Sequence, residues 1–258
     1  MFTSPSQILC TIHGVNIYYY GVILATAIAV GTLISDYIGV KYFELKKDTI
    51  IDMAPYFIIC GIIGARLYYC VMDYDFYLRF PTEIFAVRHG GISIHGAMLG
   101  GLFGIWLFAK RHKVQFTKLL DVSAIGLSLA QAIGRWGNFF NSEAYGAPTS
   151  LPWKLYIAPE YRQVPYLDNE YFHPAFLYES ILDLIIFFIL LYLLKNRNLK
   201  GGNIALIYLI LYSIVRIAVE MCRLDSVRYI FGIPVAILVS VIIIVLSVCL
   251  LIKNNKEG

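Results

Sequence analysis

Seven apolar runs of about 19–24 residues divide this chain, at roughly 17–35, 49–71, 91–109, 118–140, 173–194, 202–222 and 229–252. A hydrocarbon core of ~30 Å needs about 20 apolar residues in a helix, so each run has spanning length. Only 15% of the residues are charged and 59% are hydrophobic, whereas a soluble domain carries about a quarter charged residues. The expected fold is an all-α membrane protein. It is a bundle of seven transmembrane helices in a single polytopic domain over residues 1–258, with small loop and helix elements between the spans. The first 15 residues hold no Lys or Arg and the first run is long enough to remain as a span, so no cleaved leader is expected.

Orientation follows from the basic residues in the connections. Twelve fall on one side, in the clusters around Lys46, Arg111, Arg197 and Lys253. Six fall on the other, spread over longer loops: Arg79, Arg88, Lys154, Arg162, Arg223 and Arg228. The denser side is predicted to be cytoplasmic, with the N-terminus outside and the C-terminus inside. The two longest connections, about 72–90 and 141–172, then lie outside. The second carries Trp153, Tyr156, Tyr161 and Tyr166, residues suited to an interfacial aromatic belt.

Several functions drop out at this level. The net charge of +4 is modest and there is no polybasic tail, so nucleic acid is not an expected partner. The five cysteines, Cys10, Cys60, Cys70, Cys222 and Cys249, show no CxxC spacing and read as small packing residues. No HExxH or HxxxH pattern and no acidic cluster on one helix is visible, so no metal is expected. No internal repeat is visible, unlike many secondary transporters.

What remains to be explained is a set of polar residues inside or beside apolar runs. Gly134-Arg135-Trp136-Gly137-Asn138-Phe139-Phe140-Asn141-Ser142-Glu143-Ala144-Tyr145-Gly146 closes the fourth run. An arginine at a helix centre in hydrocarbon costs about 2.5–3.5 kcal/mol even on the mildest scale. Arg135 beside Asn138, Asn141 and Glu143 therefore points to a polar, anionic group held at membrane depth. In the sixth run, Tyr212, Arg216, Glu220 and Arg223 share one helix face and leave a net positive stripe. Arg66 fits either snorkelling to the interface or a site role. Tyr18, Tyr19 and Tyr20 fit a belt or a headgroup contact. His95, in Gly90-Gly91-Ile92-Ser93-Ile94-His95-Gly96, is open to a structural or a catalytic reading. His173-Pro174-Ala175-Phe176-Leu177-Tyr178-Glu179 reads first as a helix start, with Glu179 turned to the bundle interior.

These stretches resemble the bacterial prolipoprotein diacylglyceryl transferase family. The run 134–146 is similar, without gaps, to its G-R-x-x-N-F-x-N-x-E-x-x-G signature. The segments 90–96 and 173–179, the Tyr212/Arg216/Glu220/Arg223 pattern and the Tyr20-Gly21 pair also match, so the resemblance covers essentially the whole chain. One departure is Arg223-Leu224-Asp225, where a proline is expected between Arg and Asp. The resemblance implies a transferase of the bacterial cell membrane. It moves the diacylglyceryl group of phosphatidylglycerol to the lipobox cysteine thiol in a prolipoprotein signal peptide, leaving a thioether and glycerol 1-phosphate. It implies no metal or nucleotide. It also implies phosphatidylglycerol contacts at Tyr20, Arg135, Asn138, Glu143, Gly146, Tyr212, Glu220 and Arg223.

That chemistry needs a deprotonated thiol, a held phosphate and two substrates in line. Arginine pairs with phosphate bidentately and stays charged at depth, which favours Arg135 and Arg216 as the phosphate clamp, with Glu220 orienting Arg216 or Arg223. His95 is the expected base, although arginines that lower the thiol pKa would make a base unnecessary. An anion transporter would instead show polar residues through the full membrane thickness. Here the inner halves read as apolar, with Asp121 and Ser123 the main exceptions. A headgroup phosphatase would show acidic metal clusters or paired histidines. A lipid-binding scaffold would not need His95.

Overall fold

The computed structural model describes residues 2–86, 90–197, 199–224, 229–230 and 232–256; Arg88, Asp225 and Arg228, used above, lie outside them. The helices are α1 (Tyr19–Phe43), α2 (Thr49–Met72), α3 (Tyr74–Arg79), α4 (Ile94–His112), α5 (Phe116–Phe140), α6 (Ala175–Asn196), α7 (Asn203–Glu220) and α8 (Val235–Lys256). Each apolar run coincides with one long helix. The first and the last are displaced: residues 17–18, 229–230 and 233–234 belong to strands, α1 continues to Phe43 and α8 runs from Val235 to Lys256. The last turns of α1 turn amphipathic, with the Lys41 ammonium donating to the Tyr37 hydroxyl (3.1 Å).

Six of the described helices are long and apolar enough to cross a membrane: α1, α2, α5, α6, α7 and α8. Helix α8 states the solvent most directly. Its buried residues are Ser240 and Ser247, while Val241, Ile242, Val245 and Leu246 are exposed. Small polar side chains inside and large apolar ones outside is the packing rule of helices in lipid. The protein is a mostly helical, multi-pass membrane protein.

The chain forms two compact units, residues 35–122 and residues 1–34 with 123–258. In the first, Asp36 near the end of α1 caps the start of α2. Its two carboxylate oxygens accept the backbone N–H groups of Asp48 (3.1 Å) and Ile50 (3.0 Å), satisfying donors that a helix start leaves orphaned. The core there joins Ile50, Met53, Ile105, Phe108, Leu119 and Val122. Helices α2 and α4 pack at backbone distance. A Cβ added to Gly100 would lie 2.9 Å from the Cys60 carbonyl carbon and 3.1 Å from Gly64 Cα.

The second unit holds α6, α7, α8, the start of α1 and most of α5. Between α5 and α6 the chain builds a small sheet. Strand β1 (Phe2–Thr3) runs parallel to β4 (Leu155–Tyr156), which pairs antiparallel with β5 (Tyr171–Phe172). Two hairpins complete the strands, β2 (Ile8–Ile12) with β3 (Val15–Tyr18) and β6 (Tyr229–Ile230) with β7 (Ile233–Pro234). Phe139, Tyr145, Leu155, Ile157, Phe172 and Phe176 form one aromatic-rich core under the sheet. Phe2 stacks on Phe139 at 4.9 Å between ring centroids, so the chain's start is fastened to the end of α5.

The glycine contact between α2 and α4 makes a prediction. Gly100→Leu forces side-chain volume into backbone and should destabilise the protein by about 1–3 kcal/mol, the usual cost of overpacking. A lowered thermal midpoint in detergent micelles checks it.

Candidate functional site

Helices α5, α6 and α7 bring one ionic cluster together. Arg135 comes from the last turns of α5, Glu179 and Asp183 from α6, and Tyr212, Arg216 and Glu220 from α7, with Arg223 just beyond it. Glu179 is the hub, fully buried. Its Oε1 meets Nη2 of Arg135 and lies 3.9 Å from Nη1 of Arg216, and its Oε2 lies 3.7 Å from Nη1 of Arg223. Arg216 is held a second time, by Glu220 at 2.5 Å one turn along α7. Arg135 is held a second time, by Asp183, whose Oδ2 lies 4.0 Å from Nε. Nη2 of Arg135 also donates to the Tyr212 hydroxyl at 3.4 Å.

The layering of these charges decides what the cluster can do. The Arg135 and Arg216 side chains keep 21% of their surface exposed and Arg223 14%, while Glu179 and Asp183 keep none and Glu220 4%. Carboxylates therefore stand behind and guanidiniums in front. Formal charge in the cluster balances, but an approaching anion meets the cations first. The carboxylates offset the cost of burying arginines and hold their planes fixed, and preorganised donors of this kind stabilise developing negative charge.

The signature stretch folds back on itself at the end of α5. Ser142 and Ala144 take left-handed backbone, which reverses the chain and aims Glu143 at the helix end. Its Oε1 accepts from the side-chain amides of Asn138 (2.9 Å) and Asn141 (3.3 Å). Gly146 is buried where the loop crosses the end of α7. Its N–H donates to the His173 carbonyl (2.8 Å), and a Cβ there would come within 2.7 Å of the Cys222 carbonyl oxygen. Tyr20 lies over Gly137, where a Cβ would come to 2.8 Å of its ring. His173 Nδ1 lies 3.0 Å from the Tyr178 hydroxyl, which also accepts from the Trp153 indole (2.9 Å). Among the described residues, no three His, Cys, Asp or Glu side chains are grouped as metal ligands.

His95 belongs to the other compact unit. It is exposed in the first turn of α4, its ring 6.1 Å from that of Tyr68. Arg66, buried on α2, binds backbone carbonyls ahead of His95. Its five N–H donors reach the carbonyls of Glu83, Ile84, Ala86, Gly90 and Gly91. Burial pushes the Tyr77 hydroxyl up from its ordinary range, and the neighbouring Arg66 charge pulls the other way.

The expected site residues Arg135, Tyr212, Arg216, Glu220 and Arg223 thus meet in one cluster. Asn138 and Glu143 pair at its α5 end, and Gly146 and Tyr20 serve as close packing points in the same unit. Sequence reasoning missed Asp183, and with it the hydrogen bond from the Tyr208 hydroxyl to Gln131 Oε1 (2.7 Å). Glu179 and Asp183 form an acidic pair on one helix, one turn apart on α6. The signal was present as Glu-x-x-x-Asp, two carboxylates one turn apart.

A family model described as prolipoprotein diacylglyceryl transferase matches residues 7–253. Proteins named phosphatidylglycerol–prolipoprotein diacylglyceryl transferase are similar over most of the chain. One from Nostoc sp. is 44% identical over 231 residues, covering 88% of this chain and 81% of its own. One from Synechococcus elongatus is 43% identical over 252 residues, covering 96% and 86%. One from Finegoldia magna is 37% identical over 251 residues, covering 97% and 96%.

Replacing the hub tests the cluster. Glu179→Gln leaves three guanidiniums without their shared counter-ion, and breaking a buried pair costs about 3–5 kcal/mol. The thermal midpoint in detergent should fall sharply; an unchanged midpoint would show that the arginines are held by other means.

Proposed function

The chain belongs to the prolipoprotein diacylglyceryl transferase family, and we propose that it moves the sn-1,2-diacylglyceryl group of phosphatidylglycerol to the lipobox cysteine of a prolipoprotein. This is the first step of lipoprotein maturation, and the enzyme is a transferase. The observation that carries the site reading is the layered cluster, with cations in front and carboxylates behind, on three helices that match the family's motifs.

The thiolate attacks the glycerol C3 carbon that carries the phosphate. A C–S bond forms, the C–O bond breaks, and its electron pair leaves on glycerol 1-phosphate. The phosphodiester enters with one negative charge and the monoester leaves with up to two. Stabilisation must therefore grow during the step, and guanidiniums already held in place provide it without reorganisation. Arg135 and Arg216 bind the phosphate oxygens, and Glu220 orients Arg216. Tyr20, Asn138, Glu143, Gly146, Tyr212 and Arg223 shape the headgroup pocket. His95 takes the thiol proton; a free thiol is only a few per cent ionised near neutrality.

In this reading α4 is the seventh span, its 19 residues (about 28 Å at 1.5 Å per residue) ending in Lys110, Arg111 and His112. The whole chain works as one polytopic domain of the bacterial cytoplasmic membrane. The positive-inside bias supports an outer N-terminus and an inner C-terminus. The lipid arrives from the bilayer, and the second substrate is the prolipoprotein signal peptide.

The assay uses purified protein in micelles with phosphatidylglycerol and a synthetic lipobox peptide. Glycerol phosphate release is expected with the cysteine peptide and absent with its Cys→Ser version; no release from well-folded protein defeats the reading. Arg135→Lys keeps the charge and loses the planar fork, and kcat/KM should fall about 100-fold or more. Near-normal turnover would remove Arg135 from the clamp. His95→Gln should lower kcat and change the pH response. Retained activity with a flat pH response would remove the base assignment.

A further inference from the structure

We propose that Asp183 is a positioning residue for the reaction, fixing the plane of the Arg135 guanidinium so that its Nη1 is left for the phosphate. The inference rests on the reading of Arg135 as a phosphate ligand. Asp183 is fully buried on α6, one turn beyond Glu179, with Ile186 and Phe187 buried just after it. Neither of its oxygens receives a hydrogen bond from another described residue. Its ion-pair neighbour is Nε of Arg135 at 4.0 Å. A carboxylate in such a place does little for stability, because apolar side chains of similar volume commonly serve a core as well or better.

Its placement makes sense through Arg135. Residues i and i+4 of a helix lie one above the other, about 6 Å apart along the axis. Glu179 meets Nη2 and Asp183 faces Nε, so the two carboxylates take one whole edge of the guanidinium at two heights. A single carboxylate would leave the group free to swing about that contact. Two hold its plane. Tyr212 takes a further contact at Nη2, and Nη1 has no protein partner among the described residues. The logic repeats at the other arginine. Arg216 is held by the shared Glu179 and by Glu220 one turn along its own helix. Asp183 is to Arg135 what Glu220 is to Arg216.

The test measures kcat, the KM for phosphatidylglycerol and the thermal midpoint for Asp183→Leu, Asp183→Asn and Asp183→Glu, with Arg135→Lys beside them. Leu and Asn should lower kcat at least tenfold and move KM less than threefold, since a fixed guanidinium matters most as charge develops on the departing phosphate. Their thermal midpoints should stay at or above the parent's. Glu restores the carboxylate and should recover at least a third of the parent kcat. A kcat within twofold of the parent for Asp183→Leu overturns the proposal, as does a loss of kcat that tracks the thermal midpoint across the three variants. If Arg135→Lys itself turns over normally, the phosphate reading fails; if Arg135→Lys is impaired and Asp183→Leu is not, only the role of Asp183 fails.

Discussion

One carboxylate shared by three guanidiniums organises this molecule. Glu179 sits on α6 with Arg135 reaching it from α5, Arg216 from α7 and Arg223 from just beyond α7. In water such contacts contribute little, but inside a bundle they decide which helices adjoin and in what rotation. A slip of one residue along α7 turns Arg216 about 100° away from Glu179. The hub therefore specifies the register of three helices whose outer surfaces, apolar all round, specify very little.

The same arrangement reconciles two demands. Arginines at hydrocarbon depth need counter-charge to be tolerated, yet a phosphate site needs them to stay available. Putting the carboxylates innermost meets both. Arg135 and Arg216 are each anchored by two carboxylates while their side chains stay partly exposed. Aromatic packing supports the front: the Phe2, Phe139 and Phe176 rings fasten the chain's start and the head of α6 to the end of α5. The loop from Asn141 to Gly146 is locked by Glu143 on two asparagines.

Much of this was legible in the sequence, because the signals are local and strong. Apolar runs of spanning length gave the helices, and the spacing of Tyr212, Arg216 and Glu220 placed them on one face before any partner was known, whereas Arg223, expected on that face too, lies past the end of α7. An arginine that is costly in an apolar run marked the site. Other features left no local trace. Asp183 stands one turn from Glu179, but its meaning lies in an arginine on another helix, which that spacing does not name. Strands of two residues, β1, β4 and β5, are too short for any alternation to show. The extension of α1 past position 35 depends on Asp36 capping the next helix, a contact across a turn. Arg66 was visible as an anomaly, but its acceptors are backbone carbonyls, which no sequence displays.

That arrangement at Arg66 has a consequence of its own. Residues 83–86 and 90–91 wrap a cation much as a crown ether wraps a metal ion, with carbonyl oxygens as the ligands. Gly91 is pressed against the guanidinium so closely that a Cβ would come to 2.5 Å of Nη1. The Ser93 N–H donates to the Ala65 carbonyl, on the residue just before the arginine. Helix α4 thus begins where α2 dictates. The position of His95 along α2 is set by a residue on that neighbouring helix, with no side-chain cap of its own.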